Sequence, residues 1–291
     1  MLTAEQHAER ANAIGGSDIP AIFGVDKYRT ALELYYRKRG EWTEPDEDGE
    51  DRFFANMGHH AEAELAAWFT RETGIELYRQ RGTRRHRRMP YLIAHTDRLT
   101  RRAKPRGVVE FKMRASGEGW GANGSAEIPF DVHLQAQTYM SVLRRPVCYV
   151  CAFLEGKSRR RYEIPHSAEL SDEIEARAAE FWFQVRTGRP PPLQYDHPTA
   201  RELVHALHPR KDGTIAELPA EAADWIRVYL QAGARLKRLE AARAAIAAEL
   251  QDLIGDASYG VTPDRGYRVV RSIRTRGDTR FTVLDIKDLS T

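Results

Sequence analysis

The stretch VVEFK at residues 108–112 determines which fold the sequence favours. Two β-branched residues lead into an acid, an apolar residue and a lysine, directly after the turn-like segment KPRG at 104–107. This pattern predicts a strand, in which every second side chain points to the same face. Glu110 and Lys112 are therefore expected to lie side by side.

A second acid, Asp97, closes the extended run YLIAHT at residues 91–96. Two strands joined by the intervening loop would place Asp97 beside Glu110. Carboxylate oxygens are the ligands that hard cations such as Mg²⁺ prefer, and an ammonium group beside them suits a phosphodiester substrate. The pattern predicts a nuclease centre that contains Asp97, Glu110 and Lys112.

Length and composition indicate a water-soluble globular protein. The 291 residues suffice for one or two domains, with 42% hydrophobic and 30% charged residues. No apolar run approaches the ~20 residues of a membrane helix, and the N-terminus carries no apolar signal region. We predict a cytoplasmic protein of a bacterium or phage-infected host cell, without membrane contact. Cys148 and Cys151 are interpreted as core thiols, since no second pair would complete a zinc site.

Basic residues are concentrated in three clusters, although the net charge is only +3. The clusters lie at residues 79–88, 101–106 and 157–161, and they include the candidate DNA-binding residues Arg84, Arg85 and Arg102. One such cluster alone is typical of a solvated surface. Three clusters around one acidic site favour a polyanionic substrate such as DNA.

The glycine turn IGGSDI at residues 14–19 follows a predicted helix at 4–12 that carries Arg10 near its end. Ser17 is expected to cap a new helix. A glycine turn, a hydroxyl group and free backbone N–H groups form a phosphate seat, which Arg10 would close with a bidentate contact. An ordinary capped helix explains the same residues equally well.

Two longer helices are predicted to reach the site. A helix from about Arg52 to Thr73 carries Glu62 on or near its apolar side, where a buried carboxylate needs a metal or a lysine as partner.

The second of these helices spans about residues 129–143 and carries Gln135, Gln137 and Tyr139. Gln135 and Tyr139 share one face at i and i+4 and would hold a phosphate or a base. Solvated glutamines on an amphipathic helix are the alternative.

The proline run at 190–192 predicts a boundary between a core at 1–192 and an extension at 193–291. In the extension, apolar residues at heptad spacing over 222–253 predict a long helix at about 218–254 that packs on a partner helix. A strand-rich tail is expected at 258–291.

With these motifs in order, residues 10–185 resemble the YqaJ-like viral recombinase family, relatives of the phage lambda-type exonuclease within the PD-(D/E)xK nuclease superfamily. The resemblance rests on GGSD at 15–18, GHHAE at 58–62, Asp97 with EFK at 110–112, and QAQTY at 135–139. It implies an α/β, restriction-endonuclease-like core with a central mixed sheet flanked by helices, to which a long helix and a β-hairpin are added. Arg98 departs from the family, in which a glycine usually follows this aspartate.

The resemblance also implies roles for individual residues. The catalytic residues would be Asp97, Glu110, Lys112 and Glu62. One or two Mg²⁺ ions, with Mn²⁺ as the alternative, would be bound by Asp97, Glu110, Glu62 and the backbone carbonyl of Phe111. Residues for the 5′-phosphate and the DNA would be Arg10, Ser17, Gln135, Gln137 and Tyr139.

The function implied is a Mg²⁺-dependent 5′-to-3′ exonuclease of a phage-type recombination system. It would act at double-stranded DNA ends and leave 3′ single strands for a single-strand annealing protein, and it would form a homo-oligomer such as a ring-shaped trimer. Three alternatives stay open: a structure-specific or restriction-type endonuclease on the same core, a non-catalytic DNA-end-binding protein, and a coiled-coil interaction protein.

Overall fold

The computed structural model describes residues 9–42, 49–209, 213–263, 267–273 and 279–285. The chain divides into two compact units, Met1–Arg210 and Lys211–Thr291. This division lies beyond the proline run at 190–192, so the first unit also includes the helix Ala200–Leu207. Most of the helix predicted at residues 4–12 and most of the acidic segment at 44–51 lie outside the described residues.

The first unit is built around a five-stranded mixed sheet. Its strand order is β2-β5-β6-β7-β8, with β2 at Leu77–Tyr78, β5 at Arg98–Thr100, β6 at Gly107–Arg114, β7 at Val147–Leu154 and β8 at Ser158–Pro165. Strands β6 and β7 run parallel, and the other pairs are antiparallel. The predicted strand 108–112 therefore belongs to β6, the middle strand of the central sheet.

A smaller sheet lies beside the first one. Strand β1 (Ile14–Gly15) pairs in parallel with β4 (Leu92–Ala94), which pairs in antiparallel fashion with β3 (Arg84–Arg85). We expected the run at 91–96 to pair with β6, and this was wrong. The chain bends at Asp97, so β4 hydrogen-bonds in the small sheet, and β5 is the strand that pairs with β6, with Arg98 opposite Val109.

Helices cover both faces of the central sheet. In chain order they are α1 (Ile19–Ile22), α2 (Ala31–Lys38), α3 (Gly49–Thr73), α4 (Phe130–Leu143), α5 (Ala168–Thr187) and α6 (Ala200–Leu207). On one face, the apolar side of α3 packs on Val109 and Phe111, and on the other face α4 packs near Val108. Because strand side chains alternate, Glu110 and Lys112 point towards α4. The predicted α/β core with a mixed sheet flanked by helices is confirmed.

The cysteines lie in the core of this sheet. Both thiols are free and buried. Cys148 belongs to the apolar cluster on the α4 face and Cys151 to the cluster on the α3 face. Burial raises the pKa of Cys151 to about 12, so its thiol stays neutral. These contacts agree with the prediction of core thiols.

Ser17 does not cap a helix, contrary to the sequence prediction. It lies inside a 3-10 turn at Gly16–Asp18, and the residue before α1 is Asp18, which makes no side-chain cap hydrogen bond. The carboxylate of Asp18 instead accepts a hydrogen bond from the backbone N–H of Gly15 at 2.9 Å. The turn is closed by Asp18, and the Ser17 hydroxyl is left for another contact.

The second unit contains the long helix α7 (Ala222–Ile254) and three antiparallel strands, β9 (Tyr259–Val261), β10 (Tyr267–Ile273) and β11 (Thr279–Asp285). The predicted long helix and C-terminal hairpin are confirmed. Large apolar side chains of α7 are exposed, among them Trp225, Leu239 and Leu253. Within the described ranges, every helix is too short or too polar to cross a membrane.

Helix α2 offers a direct test of the local folding signals. The Thr30 hydroxyl accepts a hydrogen bond from the Glu33 N–H at 3.1 Å and so caps the helix. We expect Thr30→Ala to lower the free energy of unfolding by about 1 kcal/mol more than Thr30→Ser, because both variants lose the methyl group and only alanine loses the cap. Urea denaturation of the two variants measures the difference. Equal losses would show that the hydroxyl does not stabilise this helix.

Candidate active site

The two acids and the lysine singled out from the sequence lie together in the structure. Lys112 Nζ is 2.9 Å from Glu110 Oε1, and the backbone N–H of Phe111 donates to Asp97 Oδ2 at 2.8 Å. All of these residues line a cavity of about 880 Å³ in the first unit. The bend at Asp97 turns its carboxylate towards the middle of β6, which brings it to Glu110.

The two carboxylates create an excess of buried negative charge. Glu110 is only 4% exposed. Burial and the charge of Glu110 raise the pKa of Asp97 well above its ordinary value, although Lys112 opposes this shift. A carboxylate whose ionisation is disfavoured by burial and by a neighbouring carboxylate is stabilised by a cation placed between the two.

The unsatisfied oxygen of Glu110 fits a divalent cation. Oε1 of Glu110 accepts from Lys112 and Gln135, whereas Oε2 is buried without a hydrogen-bond partner in the described part of the chain. No three His, Cys, Asp or Glu side chains among the described residues converge on one point. A donor set of two carboxylates completed by a carbonyl and by water is typical of Mg²⁺, which keeps several of its water ligands.

Glu62 lines the same cavity from α3. Its Oε2 is 3.7 Å from Nη1 of Arg98, whose guanidinium also lies 5.8 Å from the centre of the Phe111 ring. Arg98 is the residue that stands where the family usually has a glycine. It partly neutralises Glu62, a role that the sequence did not reveal because the two residues come from different elements.

Gln135 connects the acids, the lysine and α4. Its Oε1 accepts from Lys112 Nζ at 2.6 Å, and its Nε2 donates to Glu110 Oε1 at 2.8 Å and to the Tyr139 hydroxyl at 2.9 Å. The amide therefore holds the lysine and the acid in one orientation. Burial raises the pKa of Tyr139 well above its usual value, so the phenol stays protonated. The shared helix face predicted for Gln135 and Tyr139 is present.

The predicted phosphate seat adjoins this network. The Arg10 guanidinium donates a hydrogen bond to the Ser17 hydroxyl. The Tyr139 ring packs on the glycine turn so closely that a Cβ at Gly16 would lie 2.6 Å from Tyr139 Cε1. Only glycine therefore fits at position 16. Lys112 bonds Gln135, Gln135 bonds Tyr139, and the Tyr139 ring packs on the glycine turn.

Asp18 organises the seat, and the sequence did not identify it. The buried carboxylate is surrounded by three cations, Lys38 at 2.8 Å, Arg29 at 3.5 Å and Arg10 at 3.9 Å. Burial alone would raise the pKa of Asp18, but these charges outweigh burial and lower the pKa far below its ordinary value. One anion thus fixes three cations beside Ser17, and the cluster keeps a net positive charge.

Four of the candidate DNA-binding residues lie outside the network that joins Lys112, Gln135, Tyr139 and the glycine turn. Gln137 is buried and bonds the Pro165 carbonyl at 2.8 Å and the Ser167 N–H at 2.9 Å. Arg85 pairs with Glu9 at 2.9 Å, and Arg84 and Arg102 are exposed elsewhere. In contrast, Tyr28 lines the cavity and is 78% exposed. The position of Tyr28 in a loop of the sequence did not indicate that it would lie at the site.

Comparisons with known proteins agree with the family expected from the motifs. Residues 5–145 match the YqaJ-like viral recombinase domain. The uncharacterized protein YqaJ of Bacillus subtilis (strain 168) is 25% identical over 265 residues, which covers 89% of this chain and 81% of that protein. The prediction of this family is confirmed for residues 5–145.

Among solved structures, the alkaline exonuclease LHK-Exo from Laribacter hongkongensis is similar. It matches 69% of this chain and 100% of its own at 19% identity, with a TM-score of 0.49. The complex of LHK-Exo with dAMP matches with the same identity and coverage and a TM-score of 0.50. At this identity the likeness concerns the fold, which is the restriction-endonuclease-like one.

The charge cluster around Asp18 predicts an acid-sensitive contribution to stability. We expect Asp18→Asn to lower the free energy of unfolding at pH 7 by about 3–5 kcal/mol, because it leaves buried cations uncompensated. The pKa of Asp18 is lower in the folded protein than in the unfolded chain, so its contribution is complete at neutral pH and is lost as the pH falls below about 4.

Urea denaturation between pH 7 and pH 3 measures this difference, which should shrink towards pH 3. Asp196→Asn changes an exposed aspartate and should match the wild type throughout. An undiminished difference at pH 3 would show that the Asp18 carboxylate does not act through its charge.

Proposed function

We propose that this protein, whose residues 5–145 form a YqaJ-like viral recombinase domain, is a Mg²⁺-dependent exonuclease that digests double-stranded DNA from its 5′ ends. Digestion leaves 3′ single strands, the substrate for a single-strand annealing protein. The observation that carries the proposal is the meeting of Asp97, Glu110 and Lys112 in one cavity. The dAMP bound to LHK-Exo, a protein of similar fold, supports a reaction that releases mononucleotides.

The metal would be held by Asp97 and Glu110, with Glu62 and the carbonyl of Phe111 as further donors. The buried, unpaired Oε2 of Glu110 is the oxygen that such an ion would complete. When bound, a divalent cation lowers the pKa of a water molecule and polarises the scissile phosphate.

Lys112 acts on the attacking water. Its ammonium group lies in the cavity and is oriented by Glu110 and by Gln135. It positions the water, assists loss of its proton and offsets the negative charge that develops on the phosphate in the transition state. Gln135 positions Lys112 and does not itself touch the substrate.

The seat beside Ser17 accounts for end recognition. Arg10 and the Ser17 hydroxyl bind the terminal 5′-phosphate, and Tyr139 spaces this seat from the hydrolytic site. A guanidinium group provides paired donors that match a phosphate. This arrangement makes hydrolysis start at the 5′ end, and a homo-oligomer such as a ring-shaped trimer would keep the enzyme on the duplex.

Removal of the lysine tests the catalytic assignment. We expect Lys112→Ala to reduce release of nucleotides from linear duplex DNA by on the order of 10²–10⁴-fold, because an acid–base group is lost. Circular dichroism should remain that of the wild type, and Lys237→Ala, an exposed lysine of α7, should retain full activity. Wild-type rates for both Lys112→Ala and Glu110→Gln would refute the assignment.

Removal of the seat hydroxyl tests end recognition. We expect the wild type to digest 5′-phosphorylated duplex faster than 5′-hydroxyl duplex in Mg²⁺. Ser17→Ala should shrink that preference roughly 10- to 100-fold, the worth of a hydrogen bond to a charged group. Rates on the two linear substrates measure the preference.

Circular DNA supplies the control for the same experiment. A closed circle should stay intact, because an end-reading enzyme has no entry point on it. Cleavage of closed circles would instead favour the endonuclease, and absence of nucleotide release with Mg²⁺ or Mn²⁺ would favour the end-binding protein.

A further inference from the structure

A second cavity in the first unit has a different character from the active site. It measures about 760 Å³, within the range of small-molecule sites, and shares no lining residue with the cavity around Glu110. It lies between the C-terminal end of α4, the segment after β3 and the first turns of α5. Helix α4 thus contacts the active site through Gln135 and lines this cavity through Met140 and Ser141.

The walls of the cavity carry more positive than negative charge. Four arginines line it, Arg87, Arg88, Arg144 and Arg145, against two acids, Asp172 and Glu175. Arg88 is engaged by Glu175 at 2.7 Å. The other three guanidinium groups form no ion pair with any residue in the described ranges. The cavity is therefore suited to an anion.

Buried polar atoms in the walls lack partners. His86 is 8% exposed, and its Nε2 lies 3.4 Å from Glu175 Oε1, while its Nδ1 has no hydrogen-bond partner in the described chain. Nε of Arg145 is buried in the same way. Buried polar groups are nearly always paired, and both of these side chains line the cavity, so each keeps an unused hydrogen-bonding atom beside it.

The N-terminus of α5 adds to the attraction for anions. This helix of 20 residues begins at the cavity wall, where Ala168 and Ser171 lie. The positive end of its dipole and the unpaired guanidinium groups act on the same space. Guanidinium forks match phosphate oxygens in pairs, and the cavity contains arginine rather than lysine.

We propose that this cavity is a second phosphate-binding site, separate from the seat at Ser17. It takes the phosphate group of a free mononucleotide or of the DNA backbone. Arg87, Arg144 and Arg145 supply the charge, and His86 lines the buried wall. The site does not depend on hydrolysis, so its test is run without divalent metal.

The first arm of the test titrates 5′-dAMP into the full chain in EDTA and follows heat release. Arg144→Gln/Arg145→Gln should weaken one binding phase at least tenfold, whereas Ser17→Ala should leave that phase unchanged. Arg186→Gln/Arg201→Gln removes two exposed arginines outside the cavity and should behave as the wild type. Arg87→Gln, an exposed substitution, serves if the double variant does not fold.

The second arm measures binding of closed circular duplex DNA at several salt concentrations, again in EDTA. Loss of two phosphate contacts should reduce the slope of log affinity against log salt by about two in Arg144→Gln/Arg145→Gln and not in the control pair. A change in the first arm alone identifies a free nucleotide as the ligand, and a change in the second identifies the DNA backbone.

Unchanged binding in both arms, or equal losses in the control pair, would overturn the proposal. These arginines lie outside the hydrolytic site and the Ser17 seat, so that result would leave the proposed exonuclease intact.

Discussion

The structure depends on one electrostatic constraint. The carboxylates of Asp97 and Glu110 lie in a buried site with a single ammonium group, that of Lys112, which bonds Glu110 and reaches α4 through Gln135. Burial and the charge of Glu110 disfavour ionisation of Asp97, and Lys112 with Gln135 satisfies only one oxygen of Glu110. A site of this kind remains short of positive charge until a cation completes it. The central strands and α4 fix every one of these side chains. The surrounding elements therefore hold the unbalanced charges in place.

A second buried cluster has an excess of positive charge, whereas the first has an excess of negative charge. Around Asp18 one anion holds three cations, so the seat beside Ser17 keeps excess positive charge. Tyr139 and Gln135 lie between the two clusters, and the neutral phenol and amide separate opposite charges without adding any. Under the proposed function, a terminal phosphate would bind at the positive cluster, and the carboxylates would hold the cation that acts on a second phosphate further along the strand. The spacing between the two clusters is set by Gln135 and Tyr139, which lie one helical turn apart on α4. A loop is less rigid than a helix and would not fix this spacing.

The departures from expectation have local physical causes. Asp97 reaches Glu110 because the chain bends there and changes sheets, so β4 before the bend belongs to the small sheet and β5 after it belongs to the central sheet. Ser17 is free to meet Arg10 because Asp18 closes the turn in its place. Gln137 is two residues from both Gln135 and Tyr139, so it lies on another face of α4 and bonds backbone groups of Pro165 and Ser167. Arg98, at the position where the family favours glycine, pairs with Glu62.

The sequence by itself determined the central strand at 108–112, most helices, the i, i+4 face of Gln135 and Tyr139, and the acids and lysine of the candidate site, because these follow from periodicity and from short-range chemistry. Only the tertiary structure decided that Asp18 gathers Lys38, Arg29 and Arg10, that Arg98 meets Glu62, and that arginines from distant segments line a second cavity with His86. Those contacts join residues far apart in the chain. Sequence periodicity indicates which face of a helix or strand a side chain occupies. The charged partner of that side chain depends on how the elements pack.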